Sequence, residues 1–143
     1  MPHEKVLLVD DEREFTEVLS QRMQSRGVAV ETAGNGREAL QKVQSGSYDA
    51  IFLDLAMPGM DGIETLKHLL NVNPDLQVIL LTGYASVQKG VEAVKLGAMD
   101  FLEKPAEIQK LMDKIHQAKA NRMVIVERQA EEKIKGILDA KGW

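Results

Sequence analysis

Apolar residues in this chain fall into short runs separated by longer stretches of helical spacing. Val6-Leu7-Leu8-Val9, Ala50-Ile51-Phe52-Leu53 and Val78-Ile79-Leu80-Leu81 are apolar at every position, while Val28-Ala29-Val30 is shorter and Met99 to Leu102 weaker. Consecutive apolar positions suit strands covered on both faces, since successive side chains point to opposite sides of a sheet. Between the runs, apolar residues recur at steps of three and four: Phe15, Val18, Leu19 and Met23; Ala39, Leu40 and Val43; Ile63, Leu66, Leu69 and Leu70; Val87, Val91, Val94 and Leu96. Gly27, Gly46, Pro74 and Gly97 stand where these helices should stop or the next element begin.

Strand and helix thus alternate five times, which predicts an α/β fold: a doubly wound, five-stranded parallel sheet with helices on both faces. Right-handed crossovers leave few arrangements. The order 2-1-3-4-5 is adopted as one of the two common doubly wound orders and is not itself read from the periodicity. Such sheets bind ligands beyond the carboxyl ends of their strands, at the switch point beside the first strand. Ile108, Leu111, Met112 and Ile115 mark a fifth amphipathic helix, and Met123, Val126, Ala130, Ile134 and Ile137 continue as a heptad-like stripe. That stripe suits either a helix folded back on its own domain or a coiled-coil arm that dimerises or leads to a further domain.

Composition narrows the function. With 143 residues, 44% hydrophobic and 28% charged, the chain is long enough for one well-cored globular domain and too short for two ordinary ones. A formal charge of -4, with Lys and Arg spread evenly, argues against direct DNA or RNA contact by this chain. The chain has no cysteine, which removes disulfides, thiolate metal sites and thiol catalysis. The run Val6–Val9 behind Met1-Pro2-His3-Glu4-Lys5 is too short for a signal segment or a membrane span, so a cytoplasmic protein without membrane contact is expected.

The chemistry gathers at the strand ends. The first strand ends in Asp10-Asp11, the third in Asp54, the fourth in Thr82-Gly83 and the fifth in Lys104-Pro105. Singly, each has a structural explanation: Asp11 with Glu14 as a helix cap and its box partner, Asp54 in an Asx-turn, Thr82 bracing a turn, Lys104 solvated. Together they do not. Two carboxylates 4 Å apart repel by roughly 4 kcal/mol at an effective dielectric of 20, whereas a cap returns about 1 kcal/mol. Lys104 would supply one positive charge and a hard divalent cation the rest; Mg2+ fits best, because it takes one or two carboxylates and keeps waters a phosphate oxygen can replace. An Asp carboxylate can also act as a nucleophile and form an aspartyl-phosphate. Asp54, on a separate strand, is the better candidate to attack, with Asp10 and Asp11 holding the ion.

These residues resemble the receiver domain of bacterial two-component response regulators, whose fold is flavodoxin-like. The resemblance rests on Val6-Leu-Leu-Val-Asp-Asp-Glu12, Asp54-Leu-Ala-Met-Pro-Gly-Met-Asp-Gly62, Leu81-Thr-Gly83 and Gly97-Ala-Met-Asp-Phe-Leu-Glu-Lys-Pro105, within about residues 4 to 118. It implies a receiver domain over 1–118 and a C-terminal helical extension, or a linker to an output domain, over 119–143. It implies Asp54 as phosphoacceptor for a sensor histidine kinase or phosphotransfer protein, and Mg2+, with Mn2+ as a substitute, on Asp10, Asp11, Asp54 and the backbone carbonyl of Ala56. Thr82 would be the switch hydroxyl, Phe101 the switch aromatic, and Lys104, before a cis bond to Pro105, the cation facing the phosphoryl group. The output face would be the fourth helix, fifth strand and fifth helix. Its mixed charges, Lys89, Glu92, Lys95, Asp100, Lys110, Asp113 and Lys114, could pair across a homodimer, as could the C-terminal helix. Pro58, Gly59 and Gly62 would shape the loop after the third strand, with the third helix starting near Asp61. Tyr84 and Ala56, at positions that tune phosphate loss, offer no group to orient water, which implies slow self-dephosphorylation. His3, His68 and His116 fall outside the pattern.

Two other classes compete. An aspartate-nucleophile phosphatase would want a second acid two residues after the nucleophile. That position is Ala56 if Asp54 attacks and Glu12 if Asp10 does. A flavin module would need a phosphate loop after the first strand, where acids would instead repel the phosphate.

Overall fold

A computed structural model describes residues 3–55, 62–83 and 87–140 of the chain. Five strands and five helices alternate: β1 Lys5–Val9, α1 Arg13–Gln24, β2 Ala29–Ala33, α2 Gly36–Ser45, β3 Ala50–Asp54, α3 Gly62–Val72, β4 Val78–Thr82, α4 Val87–Leu96, β5 Asp100–Glu103 and α5 Ile108–Ala140. The strands form one parallel sheet in the order β2-β1-β3-β4-β5, the order adopted from the sequence.

The consecutive apolar runs have the expected cause. Leu7, Val9, Ile51, Leu53, Val78 and Leu80 face one side of the sheet, where they pack with Ala39, Val43, Leu66, Leu69 and Ala93 of α2, α3 and α4. Val6, Leu8, Ala50, Phe52, Ile79 and Leu81 face the other, against Leu19 and Met23 of α1 and Leu111 and Ile115 of α5. Every residue of β3 and β4 is buried. The outer strands differ. β2 begins one residue after the expected Val28 and runs on through Glu31 and Thr32, because an edge strand tolerates polar, partly solvated positions that hide it from a search for apolar runs.

Local signals set the ends. Asn35 caps α2 by accepting a hydrogen bond from the Glu38 N–H at 2.8 Å, and Glu38 reaches back to accept from the Gly34 N–H at 3.0 Å. Gly27 and Gly97 follow α1 and α4 with φ of 86° and 121°, as helix breakers there require. Glu12, not Asp11, occupies the cap position of α1, and no side chain caps that helix. The capping reading of Asp11 is therefore wrong.

The sequence left the chain beyond residue 118 open between a fold-back and an arm. Helix α5 does not fold back there but continues as one helix of 33 residues, about 50 Å long at 1.5 Å per residue. Its first turns bury Leu111, Met112, Ile115 and Ala118. Its middle is tied to the amino-terminal end of the sheet. The Arg122 guanidinium pairs with Asp49 at 3.0 Å and also donates to the Ser47 hydroxyl; Asn121 donates to Gln77 at 3.1 Å and Gln129 to Asp75 at 3.2 Å. From Ala130 to Ala140 every residue is exposed, Ile134 and Ile137 included. Among the described residues, no helix is long and apolar enough to cross a membrane.

Candidate functional site

The carboxyl ends of β1, β3, β4 and β5 meet at one rim. Asp54 is the last residue of β3, in register with Leu81, and is 4% exposed. Asp10 follows β1 directly. Its N–H donates to the Ala33 carbonyl at 3.0 Å, which seats it against the end of β2, and its Oδ1 accepts from the Glu12 N–H at 3.0 Å. Asp11 is exposed beside it. One oxygen from each of Asp10, Asp11 and Asp54 lies within 4.8 Å of the others. Hard oxygen donors gathered at that spacing suit a divalent cation such as magnesium, so the donor set fits the ion that the sequence implies.

Lys104 enters from the end of β5. Its N–H donates to the Thr82 carbonyl at 2.7 Å, extending the β4–β5 ladder and aiming the side chain across the rim. The ammonium is 2.7 Å from Asp10 Oδ2 and 3.5 Å from Asp54 Oδ1, so one cation bridges two buried carboxylates. Burial opposes the charged ammonium. The hydrogen bond to Asp10 and the charges of Asp54, Asp10 and Glu12 outweigh that penalty, and the pKa of Lys104 lies above the ordinary lysine value. The Lys104–Pro105 bond is cis, as the resemblance implies.

The two expected switch residues lie on β4 and β5. Thr82 is fully buried at the end of β4, and its hydroxyl donates to the Leu102 carbonyl across a long 3.4 Å. Phe101, in register with Leu80, is half-buried and packs on the sheet face covered by α4. Its ring lies directly over Gly90: a methyl group added there would come within 2.7 Å of Phe101 Cγ.

Gly62 serves a purpose other than the tight turn expected of it. A Cβ at that position would lie 2.4 Å from Leu55 Cα and 2.7 Å from the Asp54 carbonyl oxygen. The glycine lets the start of α3 press against the backbone carrying Asp54. Ala56, Pro58, Gly59, Asp61 and Tyr84 lie outside the described residues.

One neighbour escaped the sequence reading. Phe15, assigned only to the apolar face of α1, carries the Lys104 ammonium 4.5 Å from its ring centroid. Its place one turn into the helix that follows the acidic pair was a usable signal. Of the mixed charges on the α4, β5 and α5 face, Lys114 and Asp100 pair within the chain at 2.5 Å.

Known proteins carry the same pattern. Residues 6–116 match the family described as the response regulator receiver domain. The chain is 40% identical over 116 residues to the transcriptional regulatory protein ZraR of Klebsiella oxytoca, covering 81% of this chain and 26% of that protein. It is 44% identical over 111 residues to the CpxR homolog of Haemophilus influenzae, another transcriptional regulatory protein, covering 78% and 48%. A receiver domain protein from Clostridium thermocellum superimposes with a TM-score of 0.82 at 28% identity, covering 85% of this chain and 98% of that one. The chain thus spans about a quarter to a half of the length of these two curated relatives.

Proposed function

This chain belongs to the response regulator receiver family of two-component systems, and from that premise we propose that Asp54 accepts a phosphoryl group from a sensor histidine kinase or a phosphotransfer protein. One observation carries the reading: two buried carboxylates, Asp10 and Asp54, share the Lys104 ammonium, with Asp11 beside them. Among the described residues these three acids and Lys104 leave a net negative charge at the rim, and a phosphoryl group would add to it.

Asp10, Asp11 and Asp54 would hold a magnesium ion, or manganese in its place, with the Ala56 carbonyl as a further ligand. The ion's contribution is to offset the carboxylate charge and draw electron density from the phosphoryl oxygens. An oxygen of Asp54 forms the new bond to phosphorus as the phosphorus–nitrogen bond of the donor phosphohistidine breaks, and its electron pair returns to the imidazole. Lys104, already 3.5 Å from Asp54, neutralises charge on the transferred group. Thr82 then exchanges its long bond to Leu102 for a phosphoryl oxygen, and Phe101 moves with it, altering the face of α4, β5 and α5. The chain carries out only its own phosphorylation and slow dephosphorylation and turns over no phosphate ester.

The named relatives are longer transcriptional regulators. We therefore read residues 1–118 as the receiver and 119–143 as an arm toward an output region, and place the protein in the cytoplasm with its kinase. The exposed Met123, Val126, Ile134 and Ile137 along α5, or the α4, β5 and α5 face, would join two copies.

The test is labelling by a small phosphodonor such as acetyl phosphate. Wild-type protein should become phosphorylated in magnesium and not in chelator, with the label on Asp54 after reductive trapping; Asp54→Asn should stay unlabelled. Undiminished labelling of Asp54→Asn would defeat the reading.

A further inference from the structure

Lys104 ends a flexible four-carbon stem, and something must hold its ammonium over the rim. Three contacts do so: Asp10 at 2.7 Å, Asp54 at 3.5 Å and the Phe15 ring at 4.5 Å. The two carboxylates are also the groups that a divalent cation and a phosphoryl group would claim. The ring carries no net charge and is claimed by neither. It is fixed from below as well, since Phe15 is half-buried and packs on the apolar cluster of Leu19, Met23, Leu111 and Ile115.

We propose that Phe15 is a positioning residue for phosphoryl transfer, its ring face holding the Lys104 ammonium over Asp54 while the carboxylates change partners. A cation above an aromatic face is attracted by the ring quadrupole, and the attraction grows as water is excluded. The Lys104 side chain is only 18% exposed, so little water competes with the ring for its ammonium. An aliphatic residue would fill the space beneath Lys104 without attracting the ammonium, leaving Asp10 and Asp54 as its holds. Simple core packing predicts the reverse: any apolar side chain of similar volume would serve.

The inference rests on Asp54 as acceptor and Lys104 as the cation facing it, and its test keeps the two apart. Phe15 in the full chain is replaced site-specifically by mono-, tri- and pentafluorophenylalanine, which progressively weaken and finally reverse the ring quadrupole at nearly constant shape, and separately by Trp and Leu. Two quantities are read: the initial rate of acetyl phosphate labelling in magnesium, and the nitrogen resonance of the Lys104 ammonium without any phosphodonor. The expected result is a rate that falls steadily with fluorination, by about three- to tenfold at the pentafluoro ring. Leu should match the trifluoro ring, Trp should retain the native rate, and the Lys104 resonance should move in step.

A flat series, or a Leu variant as fast as the native protein with its Lys104 resonance unmoved, overturns the role of Phe15. Melting temperatures within the series identify any variant whose loss is one of folding, and the isosteric fluorinated rings then decide. Labelling of Asp54→Asn would instead overturn the assignment of the acceptor, whatever the fluorinated series shows.

Discussion

Replacing Gly62 with alanine should damage both the fold and the rim, because the added methyl group has nowhere to go. It would sit 2.4 Å from Leu55 Cα, 2.7 Å from the Asp54 carbonyl oxygen and 2.9 Å from Leu55 Cδ2. Non-bonded carbons rest about 3.5–4.0 Å apart, so α3 or the end of β3 must retreat by about 1 Å. Retreat is resisted, since the Gly62 N–H donates to the Leu55 carbonyl at 3.0 Å. Overpacking costs about 1–3 kcal/mol, and the upper end applies where the obstacle is backbone. Alanine returns up to about 1 kcal/mol through helix propensity and a less flexible unfolded chain. The net loss is then about 2 kcal/mol, or about 6–8 °C in Tm for a domain of this size.

The displaced backbone is the one carrying Asp54. A misplacement of about 1 Å can cost a reaction about a hundredfold, so labelling by acetyl phosphate should fall by at least about tenfold at a temperature where the variant is folded. Thermal melting and labelling kinetics measure the two effects. Gly136→Ala is the control, because a methyl group there meets nothing within 4 Å, and that change should raise helicity slightly. A Gly62→Ala protein that melts within about 0.5 kcal/mol of the native one and labels at the native rate would refute the close-approach argument.

Lys104→Met leaves Asp10 and Asp54 without their shared cation. Losing one partner of a fully buried pair costs about 3–5 kcal/mol, and partial solvation of this ammonium reduces that to about 1–2 kcal/mol, readable by urea denaturation in chelator. Because the folded pKa of Lys104 is raised, its contribution is complete below the ordinary value of 10.5 and is lost as pH rises through the higher folded value. The deficit of Lys104→Met should therefore stay constant through neutral and mildly alkaline pH and shrink only above that range; a deficit that vanishes near neutrality would contradict the pairing. Gly90→Ala places a methyl group 2.7 Å from Phe101 Cγ and 2.8 Å from Cδ2, so the Phe101 ring resonances should shift without any phosphodonor, while helix propensity offsets up to about 1 kcal/mol of the cost; unmoved resonances would place the ring elsewhere. Arg122→Ala removes the links to Asp49 and Ser47, and amide exchange in the arm beyond residue 122 should quicken while that of β3 and β4 stays slow; unchanged exchange in the arm would show it to be held by other contacts.

Much of this fold could be read from the chain because β1, β3 and β4 are covered on both sides and so consist of unbroken apolar residues. The strand order was assumed from the common arrangement, and no periodicity encodes it. β2 was placed slightly early because Glu31 and Thr32, tolerable only at an edge, lie inside it. The course of α5 beyond residue 118 was left open between a fold-back and an arm, although no glycine or proline interrupts residues 106–135 to end the helix there. The acids and Lys104 could be found because like charges at successive strand ends are costly without a cation. Long-range proximity hid the rest. The fit of Gly62 against Leu55 and of Gly90 under Phe101 depends on how separate elements pack, and the contact of Phe15 with Lys104, hinted at by its place after the acidic pair, joins residues distant in sequence.

If Asp10, Asp11 and Asp54 form one cation site at the sheet rim, titration with manganese followed by NMR will locate it. A bound paramagnetic ion broadens nearby signals steeply with distance. Resonances of Asp10, Asp11, Asp54 and Lys104 should vanish first, magnesium should restore them by competition, and Asp11→Asn should require more manganese for the same loss. Broadening centred on another acidic patch, or none at millimolar manganese, would show that these three acids hold no ion.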